Sequence, residues 1–338
     1  MQKVQELSPL KKTLFTLLTV LLVLVVTEVV LRLFVPVGKV GPVGTRYDPF
    51  YGKVLKESYS CYRSSPDYRY LLSTNSLGFR GPEPPSPPQG VVLFIGDSMT
   101  MGSGVSDGEE YPAIIRRRLD DKFGENAIPV VNAGVANNGN GRWLKFLQTG
   151  AKEFQPRFVV MQVCWNDFRD NGSEKLFQLS ESGALEELPV PPQSRLQKLQ
   201  AFVEAIPVVK DTHLMALIRM AIAKKYMRFA HAADDPRSDE LTYEILEESL
   251  RVCQTNAWPT MWITEEMSEN RLKRLEQLFA QFDAPLVKVP SMRERPDLYF
   301  PNDSHWNVDG NLWVAEAVLE RLLADPRFDQ NRQDNAGQ

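Results

Sequence analysis

The sequence predicts an α/β protein, a parallel sheet covered by helices on both faces, preceded by one transmembrane helix. Three observations carry this expectation. An apolar run near the N-terminus is long enough to cross a bilayer. Five short apolar runs follow in the second part of the chain. Between them lie stretches with apolar residues at spacings of three and four, the pattern of amphipathic helices packed on a sheet.

Residues 13–35 read TLFTLLTVLLVLVVTEVVLRLFV, with Lys11 and Lys12 directly before them. As a helix, this run would span about 35 Å at 1.5 Å per residue, against a hydrocarbon core of roughly 30 Å. Glu28 and Arg32 stand at spacing i, i+4 and can pair on one helix face. A cleaved signal peptide is the competing reading, because the uncharged part also fits an h-region. No small-x-small pattern follows Val26, which favours an uncleaved anchor. The lysine pair favours a cytoplasmic tip and an exported, periplasmic or extracellular bulk. The expected organisation is a tip and anchor over 1–35, a juxtamembrane segment and linker over 36–90, a main domain over 91–326 and a polar tail over 327–338.

Residues 36–81 are rich in Tyr, Gly, Ser and Pro without a sustained period, and are expected to pack irregularly. Pro82-Glu83-Pro84-Pro85-Ser86-Pro87-Pro88-Gln89-Gly90 then reads as a semi-rigid spacer and the domain boundary. The runs at 91–95, 129–133, 158–164, 260–264 and 284–289 read as buried strands. Helical patterns hold Tyr111, Ile114, Ile115 and Leu119; Trp143, Phe146, Leu147, Gly150 and Phe154; Leu272, Leu275, Phe279 and Phe282; and Leu312, Ala315, Leu319 and Leu322. The alternation breaks over 172–238, which reads as an insertion or lid. Its apolar stretch at 214–229 is expected to be a core helix of that insertion, with contact to lipid or an acyl chain as the alternative.

Open α/β sheets place their sites at the carboxyl ends of strands. The first strand runs into Gly96-Asp97-Ser98-Met99, where a serine on a tight strand-to-helix turn can project its hydroxyl. The second runs into Asn132-Ala133-Gly134 and the third into Asn166-Asp167. Each is ordinary alone, as a glycine-bearing loop or a helix cap. Together they put Ser98, Gly134 and Asn166 at three strand ends where one ligand could touch all three. Near the C-terminus stands Asp303-Ser304-His305. An Asp two residues before a His can orient the imidazole, which can then take a serine proton. Of the three histidines, His213 and His231 read as packing residues.

These blocks, GDSM at 96–99, NAG at 132–134, ND at 166–167 and D-x-H at 303–305, resemble those of the SGNH (GDSL-type) hydrolases, over about residues 90–325. Thr74-Asn75-Ser76-Leu77-Gly78-Phe79-Arg80 together with the anchor looks like the membrane-anchored bacterial branch. The resemblance implies a three-layer α/β/α sandwich around a five-stranded parallel sheet in flavodoxin-like order. It implies Ser98 as nucleophile, His305 as general base and acid, and Asp303 as its orienter. The Ser98 and Gly134 N–H groups and the Asn166 amide would form the oxyanion hole. The sequence departs from the family pattern at Met99, usually Leu, and at Cys164, usually Gly. Asn302 occupies the commoner acid position. The shorter Asp-to-His spacing resembles proteins of polysaccharide O-acylation.

The expected function is thus an extracytoplasmic ester hydrolase working through an acyl-enzyme. An O-acyltransferase on a cell-envelope polysaccharide is the alternative, and a non-catalytic glycan-binding domain the third reading. The partner would be an acylated small molecule, lipid or glycan, besides the membrane. No metal or cofactor motif is present. A net charge of −4 without a basic stripe argues against nucleic acid. Cys61, Cys164 and Cys253 have no metal-type spacing, and Cys164 reads as a buried thiol.

Overall fold

The computed structural model describes residues 8–35, 40–86, 88–206, 208–230 and 236–328. It opens with helix α1 (Pro9–Phe34), 26 residues long and with none of them buried. At 1.5 Å per residue α1 is about 39 Å long. Its most apolar window has a mean hydropathy of 2.7, so it is long and apolar enough to cross a membrane.

The segment expected to pack irregularly instead forms two antiparallel hairpins. Strand β1 (Thr45–Asp48) pairs with β2 (Gly52–Leu55), and β3 (Ser60–Ser64) with β4 (Arg69–Ser73). Tyr70 and Leu72 are buried on alternate positions of β4 and pack with Cys61 of β3. That is a strand's period of two, but it runs for only five residues and is hidden among polar neighbours.

The central sheet contains β5 (Val92–Ile95), β6 (Val130–Asn132), β7 (Phe158–Val163), β10 (Thr260–Thr264) and β11 (Leu286–Lys288), in the order β11-β10-β7-β5-β6. All pairs are parallel; Leu93 lies opposite Val131 on one side and Val159 on the other. Counting along the chain this is the 2-1-3-4-5 order expected from the resemblance. Side chains alternate across it. Val92, Phe94, Val160 and Ile263 pack under α3 (Tyr111–Phe123) and α10 (Val308–Ala324). Leu93, Ile95, Met161 and Trp262 pack under α4 (Asn140–Gln148), α8 (Pro236–Thr255) and α9 (Glu269–Gln281). The result is a three-layer sandwich whose central strands are buried on both faces. Phe328, assigned to the tail from sequence, is buried in this core beside Phe158.

The inserted stretch follows α5 (Asp167–Glu174). It holds the hairpin β8 (Phe177–Leu179) with β9 (Leu185–Glu187), then α6 (Arg195–Glu204) and α7 (His213–Ala230). Its apolar residues Leu176 and Phe177 pack with Leu144 of α4 and Ile245 of α8, and α7 packs on α1. Met215 and Ala216 of α7 are buried, whereas Ile218 and Met220 are exposed. His213 starts α7 and gives its backbone N–H to Glu28 of α1; His231 lies outside the described residues.

Arg80 joins the N-terminal hairpins to the sheet. Its side chain is fully buried and donates to the carbonyls of Leu71, Met101, Gly102 and Val105 at 2.6–3.1 Å. It also donates to Asp107 at 3.1 Å and lies 3.8 Å from the buried Glu110. Removing one partner of a buried ion pair leaves an uncompensated charge and several orphaned carbonyls. Arg80→Ala should therefore lower unfolding free energy by about 3–5 kcal/mol. Arg46→Ala, which breaks an exposed pair with Glu57, should cost about 1 kcal/mol or less. Denaturant unfolding of both variants checks this contrast.

Candidate active site

Strand β5 ends at Ile95, and the chain turns sharply under Gly96. A Cβ there would lie 2.1 Å from Thr100 Oγ1 and 2.8 Å from Gln162 Oε1, so only glycine fits. The short helix α2 (Ser98–Met101) begins at once, capped by the Asp97 carboxylate, which accepts the Met99 N–H at 2.9 Å. Ser98 occupies the first helical position, where the backbone N–H has no intrahelical acceptor. Thr100 reaches Gln162 of β7 at 3.2 Å and Tyr111 of α3 at 3.0 Å, which fixes α2 to the sheet.

The Asp-x-His segment sits on a small hairpin of β12 (Tyr299–Phe300) and β13 (Asp303–Trp306), directly before α10. From there His305 Nε2 stands 2.8 Å from Ser98 Oγ, and His305 Nδ1 bonds the Asp303 carboxylate. The three residues proposed from sequence are thus joined in one line across 207 positions of chain. Asn302 points elsewhere. Its amide and backbone N–H both donate to Asp67, at 2.6 and 2.8 Å. The helix after Trp306 is capped by Asn307, which accepts the Gly310 N–H at 2.9 Å, so Asp303 does not serve as its cap.

The oxyanion candidates lie at the same sheet edge. Gly134 follows β6 and packs against α2; a Cβ there would come 2.3 Å from Met101 N. Its N–H donates to Asn132 Oδ1 at 3.0 Å, while Asn132 Nδ2 donates to Thr100 O at 2.9 Å. Asn166 follows β7, and its amide donates to Asp170 at 2.9 Å. Both groups are at the expected strand ends but are engaged with neighbouring oxygens. Cys164, at the position usually held by glycine, is buried and gives its N–H to Asp167 at 2.8 Å.

Four participants have no motif in the sequence. Tyr68, from the turn between β3 and β4, donates its hydroxyl to Asp303 Oδ2 at 2.7 Å and packs on Phe300. Burial, then the Asp303 carboxylate, raises the Tyr68 phenol well above its ordinary range. Asp67 beside it holds Asn302. Lys53 of β2 donates to the carbonyls of Ala136 and Asn137, in the loop after Gly134, at 2.7 and 2.6 Å. Burial lowers its ammonium to about 8. Glu265, the residue after β10, is the fourth. Its carboxyl is pushed up to about 8, first by burial and then by the charge of Asp97. Burial also raises Asp97, and raises Asp167 further with the help of Asp97. The floor of the site therefore holds acids whose carboxyls are pushed above their ordinary range. No group of three or more His, Cys, Asp or Glu residues suited to a metal ion occurs among the described residues.

Glu265 gives a signed pH dependence. Its carboxyl titrates near 8 when folded and near its ordinary 4.5 when unfolded. Between these values the unfolded state has lost a proton that the folded state keeps, so stability falls as pH rises. Glu265→Gln removes this term. Its unfolding free energy relative to wild type should rise across that window, by at most about 1.4 kcal/mol per pH unit. Thermal unfolding of both proteins from pH 4.5 to 8 checks this; parallel curves would show that Glu265 is not held protonated.

A family model for the GDSL-like lipase/acylhydrolase family matches residues 94–311. No curated protein sequence matches the chain. Among solved structures, a two-domain esterase active on acetylated mannans is similar at 13% identity and a TM-score of 0.41. The match covers 73% of this chain, which spans only about half (51%) of that one. TesA is similar at 13% identity and a TM-score of 0.44, over 69% of this chain and 97% of the other. The esterase EstA from Pseudoalteromonas sp. is similar at 13% identity and a TM-score of 0.42, over 70% and 100%. With its parallel sheet in place and the family model spanning most of it, the chain belongs to the GDSL-like lipase/acylhydrolase family and is an ester-hydrolysing enzyme.

Proposed function

We propose that the protein is a membrane-anchored carboxylic-ester hydrolase whose catalytic domain works outside the cytoplasm through a Ser98-His305-Asp303 triad. The observation that supports it best is the unbroken line Ser98 Oγ–His305 Nε2, His305 Nδ1–Asp303. A serine hydroxyl is a weak nucleophile until a neighbouring base removes its proton, and the base in turn needs an orienting acid. Ser98 Oγ attacks the ester carbonyl while His305 Nε2 accepts its proton. The tetrahedral intermediate collapses, the alcohol leaves with that proton, and the acyl group remains on Ser98. Water, activated by the same imidazole, then releases the acid and restores the serine.

Charge on the carbonyl oxygen calls for nearby donors. The Ser98 N–H, free of an intrahelical partner, is the first. In this reading the Gly134 N–H and the Asn166 amide exchange their present acceptors, Asn132 and Asp170, for the oxyanion. The anchor reading rests on α1, exposed and apolar throughout its middle, and on Lys11 and Lys12 in its first turn. The acyl group would be carried by a small molecule, lipid or glycan.

A fluorophosphonate probe should label the full-length enzyme at Ser98, and Ser98→Ala should abolish both labelling and hydrolysis of nitrophenyl esters. Asp303→Asn should keep the fold and lower kcat by up to about 10⁴, the loss seen when a triad acid becomes an amide. Asn302→Ala should keep kcat within a few fold. Peptide mapping of the labelled protein and steady-state kinetics check these outcomes; a label on another residue would remove Ser98 from the role.

A further inference from the structure

The insertion carries a face that the proposed hydrolase site does not use. Helices α6 and α7 form a locked pair. Arg219 of α7 reaches the buried Glu204 of α6 at 3.2 Å and the Lys210 carbonyl in the connecting turn at 3.1 Å. The capping box of Ser194 and Gln197 closes the start of α6. Outside this lock, Leu199, Phe202, Ile206, Val208, Ile218 and Met220 are all exposed, Phe202 to 69% and Val208 to 81%. Leu199 and Phe202 stand three residues apart on one side of α6, and Ile206 and Val208 follow in the turn after it. Six large apolar side chains within 22 residues of chain exceed the singly scattered exposure that is normal for a protein surface.

The pair is clamped to the anchor. Glu28 of α1 accepts the backbone N–H groups of His213 and Leu214 at 3.0 and 3.1 Å, so its carboxylate closes the start of α7. A carboxylate there satisfies two orphan donors and faces the positive end of the helix. Arg32, one turn on, holds the same carboxylate at 2.7 Å. Glu28 lies six residues, about 9 Å, from the end of α1. With α1 across a bilayer, this contact sets the turn between α6 and α7 at the level where the anchor leaves the hydrocarbon.

We propose that the exposed apolar side chains of α6 and of the turn after it rest on the lipid surface beside the anchor. The inference depends on the anchor reading. Apolar side chains of a helix lying in the interface enter the boundary of headgroups and acyl chains by about 5–10 Å. The clamp at Glu28 and the lock at Arg219 make that docking rigid. The catalytic domain would then stand in a fixed pose on the membrane instead of swinging on a tether.

The test uses full-length protein in nanodiscs of phosphatidylcholine and phosphatidylglycerol, with and without brominated acyl chains. A bimane label is placed singly at Phe202→Cys or Val208→Cys. Leu22→Cys in the anchor and Glu181→Cys on the exposed turn between β8 and β9 are the references. The native cysteines are buried. Bromolipid should quench the labels at 202 and 208, as it does at 22, and leave the label at 181 bright. Quenching at 22 with none at 202 and 208 overturns the docking and keeps the anchor; the face then belongs to a protein partner or a second copy. No quenching at 22 overturns the anchor itself and the docking with it.

Discussion

The hydrogen bonds of the Asp303 carboxylate tie the molecule together. One oxygen takes His305 Nδ1, and the other takes the Tyr68 hydroxyl at 2.7 Å. His305 continues the line to Ser98. Tyr68 comes from the N-terminal hairpins, Ser98 from the end of β5, and Asp303 and His305 from a hairpin before the last helix. An Asp two residues before its His has little chain with which to adjust its own position. It depends on support from outside, and Tyr68, with Asp67 holding the neighbouring Asn302, supplies it.

The same dependence appears around the serine. Gly96 lets α2 start directly on Gln162 and Thr100, and Gly134 lets the next strand's loop close on α2. Behind both stands Arg80, whose guanidinium gathers the carbonyls of the 101–105 loop. Lys53 does the same for the loop beyond Gly134. Two cations from the N-terminal segment therefore hold the two loops that border the serine. Beneath them, burial keeps Glu265 and Asp167 towards their neutral forms. Full ionisation of both beside Asp97 would place like charges in a poorly hydrated pocket.

Much of the sheet is legible in the sequence because buried parallel strands leave unbroken apolar runs and their helices repeat at 3.6 residues. All five expected strands occur, each within two residues of the expected bounds. That Ser98, Asp303 and His305 come together is legible because each sits on a short local motif at a strand end or before the last helix. The hairpins of β1 to β4 are not, because strands of four or five residues with one wet face give too few alternations to stand out. Tyr68 and Lys53 are not either. Each acts through tertiary contacts, 235 and more than 80 residues away in the chain, and nothing in the neighbouring sequence marks them. Arg80 was visible within its block, but its burial was not, since a lone arginine ordinarily belongs on the surface.

A double-mutant cycle on Tyr68 and Asp303 tests most directly the claim that the N-terminal hairpin supports the proposed catalytic line. Tyr68→Phe removes one oxygen and keeps the ring against Phe300. The account predicts that it lowers kcat while leaving KM nearly unchanged. It also predicts that the loss largely vanishes in the Asp303→Asn background, because residues acting through one bond are not additive. Equal losses in both backgrounds would show that Tyr68 serves the fold alone, and that Asp303 and His305 keep their line without it.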